Sequence, residues 1–110
     1  MRLEAAEETG MIERLTALLV QAAKPKCIIL FGSRARGEAS EDSDLDVMVV
    51  EENVANRIDE MVRLNRLVRS LDIAVDLLVV SAEKFYYWRD TPGNVYFEAA
   101  TEGRVLYEAA

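Results

Sequence analysis

Histidine is absent from this 110-residue sequence, and cysteine occurs only once, at Cys27. Without histidine the chain cannot form the usual serine or cysteine triads, nor the common zinc sites that use imidazole ligands. One cysteine cannot form an intrachain disulfide. Because Cys27 begins an apolar run and has no histidine to activate it, we expect a small buried side chain and not a catalytic thiol.

Long hydrophobic runs are absent as well. No stretch approaches the roughly 20 apolar residues of a membrane span, and the N-terminus lacks the apolar core of a signal peptide. We therefore expect a cytoplasmic protein without a membrane partner. Basic residues are outnumbered, since 13 lysines and arginines stand against 20 acidic residues and the formal net charge is −7. Binding to a long nucleic acid depends largely on lysine and arginine, so we do not expect it here.

Proline and glycine are few, with two and five residues, and no repeat, low-complexity segment or linker interrupts the chain. The chain, residues 1–110, is therefore predicted to be a single domain. The pattern first predicts a helix from Met11 to Ala23 ended by Pro25, a strand from Cys27 to Phe31, a turn or short helix from Gly32 to Gly37 and a strand from Asp44 to Val50. A long helix follows, and its apolar face includes Val54, Ile58, Met61, Leu64, Val68 and Leu71. The last predicted elements are a strand from Ile73 to Val80, a helix opened by Pro92 and a strand from Val105 to Tyr107. This alternation predicts an α/β fold with a mixed sheet flanked by helices.

Three aspartates interrupt the apolar strands. Asp44 and Asp46 are two residues apart at the start of a strand, so their side chains share one face while Leu45 and Val47 point into the core. Asp76 is the one charged residue in IAVDLLVV, where an unpartnered carboxylate would be costly to bury. Acids that converge on one face repel each other unless a cation lies between them, and oxygen ligands suit magnesium or manganese. An isolated Asp-x-Asp in a solvated loop would need no such ion.

A second set of residues precedes the aspartates and suits a polyphosphate. Gly32 lets the backbone approach a ligand closely, and Ser33 offers a hydroxyl and an N–H at the start of a helical turn. Arg34 and Arg36 add positive charge, although Arg34 has the alternative of a surface ion pair. A Gly-Ser pair alone is also typical of a helix cap after a strand. Its combination with the three aspartates favours a site for a metal-bound polyphosphate.

The order of these residues resembles the nucleotidyltransferase superfamily related to DNA polymerase beta. The shared pattern is Gly32-Ser33, ten residues, Asp44-Leu45-Asp46 and a later Asp76. The likeness is strongest to the minimal nucleotidyltransferases, whose signature GSRARG…SDLD the chain reproduces nearly letter for letter. The resemblance covers almost the whole chain. It implies the nucleotidyltransferase fold and the transfer of a nucleoside monophosphate from a nucleoside triphosphate, ATP above all, to a hydroxyl, with release of pyrophosphate.

The resemblance also implies a role for each site residue. Asp44 and Asp46 would hold two magnesium ions, for which manganese could substitute, and Asp76 would complete the ligand set at the ion nearest the incoming hydroxyl. Gly32 and Ser33 would bind the triphosphate. Together with Ser33, Arg36 is better placed than Arg34 to hold the departing pyrophosphate.

The acceptor of the nucleotide is the next question. Larger relatives carry extra domains that close over the acceptor, whereas minimal nucleotidyltransferases resemble one half of a two-gene system with a helical HEPN protein, often a ribonuclease toxin. The implied function is that of an antitoxin that transfers AMP to a tyrosine of this partner. Two alternatives stay open: a binding module that neutralises the partner by occlusion, and an enzyme that modifies a small molecule such as an antibiotic. Formation of a homo-oligomer is also left open.

Aromatic and basic residues outside the motif give further expectations. In the run FYYWRD we expect Phe85 and Trp88 to pack in the core and Tyr86 and Tyr87 to face a partner or the nucleobase. Tyr96, Phe97 and Tyr107 are predicted to be core residues, and the arginines of the long helix are predicted to be solvated on its outer face: Arg57, Arg63, Arg66 and Arg69.

Overall fold

A computed structural model describes residues 5–37 and 44–110 and places helices on both faces of a four-stranded sheet. The elements are α1 (Ala5–Ala23), β1 (Cys27–Phe31), α2 (Gly32–Arg36), β2 (Leu45–Glu51), α3 (Arg57–Val68) with a 3₁₀ turn (Arg69–Leu71), β3 (Val75–Ser81), α4 (Ala82–Trp88), α5 (Val95–Glu102) and β4 (Arg104–Glu108). The predicted α/β class with a mixed sheet and flanking helices is confirmed.

The strands lie in the order β3-β2-β1-β4. β1 runs antiparallel to both of its neighbours, β2 and β4, whereas β2 and β3 are parallel. β1 and β2 are central, and all five residues of β1 are buried. Because β2 and β3 run in the same direction, the beginnings of these two strands lie side by side at one end of the sheet. That end also receives the end of β1, which runs the opposite way.

Two apolar layers cover the sheet, one on each face. The layer that contains α1 and α3 includes Ile12, Leu15, Leu19, Ile28, Leu30, Leu45, Val47, Val49, Leu64, Val68, Leu77 and Val79. The layer that contains α4 and α5 includes Cys27, Ile29, Phe31, Met48, Val50, Val80, Ala82, Phe85 and Ala99. Alternate residues of β2 thus enter opposite layers, as the period of a strand requires. Asp46 shares its face with Met48 and Val50, which places its carboxylate on the α5 side.

Side-chain caps fix where the later helices begin. The Oδ1 atom of Asn94 accepts a hydrogen bond from the Phe97 N–H at 2.9 Å and caps α5. The expectation that Pro92 opens this helix is therefore wrong, because an asparagine two residues later supplies the capping oxygen that proline lacks. The first helix is also longer than predicted, since it begins at Ala5 and not at Met11. Its first turns are acidic, which suits a helix N-terminus although they lack the apolar spacing.

Several burial predictions need correction. Phe85 is buried as expected, but Trp88 is 42% exposed because α4 ends there and its indole packs edge-on against Tyr87, with ring centroids 4.8 Å apart. Ile58 is 61% exposed because it lies, together with Val62, on a side of α3 that is open to solvent. Tyr96, Phe97 and Tyr107 are half-buried and not full core residues.

Cys27 is buried, as the apolar run predicted, and this burial raises the pKa of its thiol. Such a thiol is a poor nucleophile, which agrees with a packing role. Within the described parts of the chain, no helix has both the length and the apolar character needed to cross a membrane.

Candidate active site

Asp46 and Asp76 are direct neighbours on two parallel strands. Their Cα atoms are register partners, each the second residue of its strand, in β2 and β3. A shared register directs both side chains to the same face of the sheet. Asp46 is half-buried and Asp76 is exposed on an edge strand. The expectation that Asp76 is costly to bury therefore does not apply, because the edge of the sheet leaves its carboxylate in solvent.

Asp44 lies just before β2 and is exposed. Partial burial is the main reason that the pKa of the Asp46 carboxyl lies above its ordinary value, and the negative charges of Asp76, Asp44 and Glu98 raise that pKa further. Arg36 opposes them and lowers it. Four carboxylates thus act on one small region, which makes the region attractive to a cation.

Gly32 connects β1 to α2 directly beside Asp46. Its φ is +76°, a conformation that L side chains rarely adopt. A Cβ atom at this position would overlap the Asp46 carboxylate. Phe31, the residue before it, is the register partner of Asp46 on β1. The glycine is thus required twice, for the turn of the backbone and for the space that the carboxylate occupies.

These residues open into a cleft of about 490 Å³. It is lined by Phe31, Gly32, Ser33, Arg36, Asp46, Met61, Asp76, Leu77, Leu78, Val95 and Glu98. Five of the residues that the sequence motif singled out therefore share one cavity, namely Gly32, Ser33, Arg36, Asp46 and Asp76. Its volume is in the range of cavities that hold small ligands.

The two arginines of α2 have different surroundings. Arg36 lines the cleft and forms ion pairs with Glu98 at 2.9 Å and Glu102 at 3.4 Å, both on α5. Arg34 is not among the described residues that line the cleft; its guanidinium pairs with Glu8 of α1 at 3.1 Å, and its side chain is only 12% exposed. The structure thus shows Arg34 in the ion pair that was its alternative, on the α1 side of α2, and phosphate binding by Arg34 stays a prediction.

The donor set of the cleft fits a hard divalent cation. All of its candidate ligands are carboxylate oxygens, which magnesium and manganese prefer, and the mutual repulsion around Asp46 would be relieved by a positive ion. Across residues 5–37 and 44–110, no three acidic or thiol side chains already meet at one point as ligands.

The sequence pattern did not indicate three residues that contribute to the cleft. Glu98 pairs with Arg36 and influences the pKa of Asp46 from α5, and Val95 and Met61 supply apolar walls. Helical spacing predicted Met61 as a residue facing the sheet, but nothing in it indicated the cleft. Glu98 carries no local signal, because only the packing of α5 against β1 and α2 brings it to the site.

Comparison with known proteins gives a family match. Residues 13–110 match the family model described as polymerase beta, nucleotidyltransferase. A protein of Methanocaldococcus jannaschii named "Putative protein adenylyltransferase MJ0604" is 30% identical over 102 residues, which are 92% of this chain and 98% of that protein.

Solved structures show the same fold. One, described as a toxin-antitoxin with AMP-PNP, contains a chain with a TM-score of 0.60 and 24% identity; the alignment covers 88% of this chain and 73% of that chain. Another is described as the tri-AMPylated Shewanella oneidensis HEPN toxin in complex with MNT antitoxin; its TM-score is 0.55 at 22% identity, with 91% of this chain and 72% of that chain covered. At these identities the likeness establishes the fold.

Proposed function

The chain belongs to the polymerase beta nucleotidyltransferase family, and we propose that it transfers AMP from ATP, with magnesium, to a tyrosine hydroxyl of a HEPN-domain toxin and thereby acts as its antitoxin. The observation that carries the proposal is the register pairing of Asp46 and Asp76 in a cleft that Gly32 and Ser33 also line. We place this activity in the cytoplasm, where ATP and magnesium are available.

The named relatives support the choice of substrates. The M. jannaschii relative is named for protein adenylylation, which makes a protein hydroxyl the preferred acceptor. One solved neighbour is a toxin-antitoxin with AMP-PNP, and another pairs an MNT antitoxin with a HEPN toxin that carries AMP groups. We carry AMP, ATP and the HEPN partner over to this chain on that basis.

The carboxylates have distinct tasks in this proposal. Asp44 and Asp46 would hold two magnesium ions, and Asp76 would bind the ion on the acceptor side. When bound, the metal supplies positive charge that stabilises the attacking and the leaving oxygen atoms. Asp46 lies between Asp76 on one neighbouring strand and Phe31-Gly32 on the other, so its carboxylate would be central to the ligand set.

The reaction is an in-line displacement at the α-phosphorus of ATP. A bond forms between the tyrosine oxygen and the α-phosphorus, and the bond between the α-phosphorus and the bridging oxygen of pyrophosphate breaks. The tyrosine proton passes to the carboxylate of Asp76 and then to solvent, and the electron pair of the broken bond leaves with pyrophosphate. Asp76 is suited to this exchange because it is exposed at the edge of the sheet.

Ser33 and Arg36 would hold the phosphates that leave. Ser33 is a half-buried residue that lines the cleft beside Gly32. Arg36 would exchange part of its pairing with Glu98 and Glu102 for the pyrophosphate, which offers the guanidinium a multiply charged anion as partner.

Incubation with α-labelled ATP, magnesium and a purified HEPN-domain protein tests the proposal. We expect label on a tyrosine of the partner, and no label with the variant Asp46→Asn. Asp90→Asn, which changes an exposed carboxylate not among the described residues that line the cleft, is the matched control and should label the partner normally. Inhibition of the toxin without any label would instead support neutralisation by occlusion.

A further inference from the structure

One side of α3 presents a shallow groove to solvent. It has a volume of about 360 Å³ and is lined by Ile58, Met61, Val62, Asn65, Arg66 and Arg69, which we call the α3 groove. Ile58 and Val62, four residues apart, are 61% and 45% exposed, so the groove has an apolar floor at one end. Exposed apolar residues that adjoin one another in this way are typical of a surface that binds another protein.

The other end of the groove is positively charged. The guanidinium groups of Arg66 and Arg69 have no hydrogen-bond or ion-pair partner among the described residues. Two other arginines of α3 are engaged: Arg57 donates to the Val79 carbonyl oxygen at 2.8 Å, and Arg63 donates to both carboxylate oxygens of Glu60. On a protein with a net charge of −7, these two guanidinium groups form a local basic site next to an apolar one.

The α3 groove adjoins the catalytic cleft. Met61 lines both cavities, and beyond it the cleft wall continues through Leu77 to Asp76 on edge strand β3. A chain segment that lies along α3 would therefore reach the cleft on the side of Asp76. That is the side on which the proposed reaction needs the acceptor hydroxyl.

We propose that the α3 groove docks an acidic amphipathic helical segment of the protein acceptor and so presents the acceptor hydroxyl to Asp76; this inference rests on the proposed transferase function. Apolar side chains of the segment cover Ile58 and Val62, and its carboxylates pair with Arg66 and Arg69. From Ile58 to Arg69 the groove is about 16 Å long at 1.5 Å per residue, which matches three turns of a helix.

The charge pattern selects this occupant over two others. A nucleic acid would be repelled by the rest of this acidic protein, and its phosphates would gain nothing from the exposed Ile58 and Val62. A second copy of the chain would have to offer an acidic surface that is also apolar and helical. Both occupants become measurable outcomes of the test below.

The test uses a synthetic fluorescent peptide of about 20 residues, with leucines at helical spacing, glutamates beside them and one tyrosine near an end. Fluorescence anisotropy should show binding by the full chain with a Kd below about 100 μM at low salt. The double variant Arg66→Glu/Arg69→Glu should weaken binding at least tenfold with an unchanged melting temperature. Arg14→Glu/Arg104→Glu, an equal charge change at exposed positions outside the groove, should bind as the wild type does.

Several results would overturn the docking proposal. These are absence of binding, equal binding by the groove variant, equal binding of a peptide with lysines in place of the glutamates, and displacement of the peptide by a single-stranded oligonucleotide at similar concentration. Sedimentation that shows a wild-type dimer and a monomeric Arg66→Glu/Arg69→Glu variant would assign the groove to a second copy and would overturn it too.

Labelling of the peptide tyrosine with ATP and magnesium separates the docking proposal from the transferase proposal. Asp46→Asn should bind the peptide normally and leave it unlabelled. If the wild type binds the peptide in a charge-dependent way but never labels it, docking stands and the proposed transfer to tyrosine fails. If the groove variant labels the peptide as well as the wild type does, the transfer stands and docking on α3 is overturned.

Discussion

Gly32 faces the carboxylate of Asp46 so closely that a single β-carbon on Gly32 would occupy the space of that carboxylate. The end of β1 and the beginning of β2 are thus fitted to each other at the site. Because the glycine also has a φ of +76°, both the backbone and the side-chain position depend on the absence of a Cβ atom.

The substitution Gly32→Ala should therefore disturb stability and activity together. We expect a loss of stability of about 1–2 kcal/mol from the left-handed backbone, with further loss from the displaced Asp46, and a fall in AMP transfer of at least about 100-fold. Gly37→Ala is the matched control, because its φ is +75° but nothing lies within 4 Å of an added Cβ. Thermal melts and transfer assays should show a stability loss in both variants and a large activity loss only at Gly32.

Neutralising Asp46 should raise the stability of the metal-free protein while it removes activity. The charges of Asp76 and Asp44 oppose ionisation of Asp46, so Asp46→Asn relieves a repulsion in the folded state. We expect a melting temperature equal to or above that of the wild type in EDTA, and no detectable transfer with magnesium. Wild-type turnover by this variant would contradict the assignment of Asp46 to the metal site.

The variants Asp76→Asn and Ser33→Ala should lose different steps of the reaction. Asp76→Asn removes the group that the proposed reaction assigns to the incoming hydroxyl, so single-turnover transfer should collapse while ATP affinity changes little. Ser33→Ala deletes the hydroxyl that we propose contacts the phosphates before reaction, so it should weaken ATP binding and slow transfer by one or two powers of ten, as expected for a charge-assisted hydrogen bond of about 1.5–3 kcal/mol. Calorimetric ATP titrations beside single-turnover assays measure both effects, and equal loss of ATP binding in Asp76→Asn would refute this division.

ATP with magnesium should stabilise the fold. A ligand that binds only the folded site adds about 2.7 kcal/mol at a hundredfold excess over its Kd. The melting temperature should rise with ATP and magnesium together, rise less with magnesium alone, and return to the baseline in excess EDTA. A shift from ATP that survives EDTA undiminished would place the nucleotide somewhere other than the aspartate cleft.

Glu51, at the far end of β2 from the cleft, should make stability depend on pH. Burial, together with hydrogen bonding to Glu60 and the charge of Glu60, raises the pKa of Glu51 from 4.5 to about 8, while Arg63 acts in the opposite direction. Between these two pH values the folded state binds more protons than the unfolded state, so stability falls as the pH rises. Hydrogen bonding to Arg63 lowers the pKa of Glu60, so the stability that the ionised Glu60 contributes is lost only as the pH falls below this window.

The substitution Glu51→Gln keeps the shape of the side chain and removes its titration. We expect the variant to be more stable than the wild type at pH 8 and above. Each kcal/mol gained should raise the melting temperature by on the order of 4–8 °C. The melting temperature of the variant should also change less between pH 5 and 8. Glu83→Gln, at an exposed position on α4, should keep the wild-type slope. An unchanged slope in Glu51→Gln would show that Glu51 does not titrate in this range.

The class of the fold and the core of the site could be predicted from the amino-acid sequence, because both depend on local regularities. The period of two along β2 places the side chain of Asp46 on the face opposite to Leu45 and Val47, and the apolar runs of β1 and β3 are typical of buried strands. The motif that joins Gly32, Ser33, Asp46 and Asp76 is visible in the sequence as well, since each of these residues is the first or second residue of an element.

Which residues meet across elements depended on how the elements pack. The register of β2 with β3 makes Asp46 and Asp76 neighbours. The packing of α5 places Glu98 beside Arg36. On the other side of α2, Arg34 pairs with Glu8 of α1. Ion pairs between residues far apart in sequence leave no periodic signal, because their geometry depends on the positions of whole helices and strands. The exposure of Trp88 and Ile58 follows from the same cause: spacing fixes the face of a helix, but where the helix ends and what it meets decide whether that face is covered.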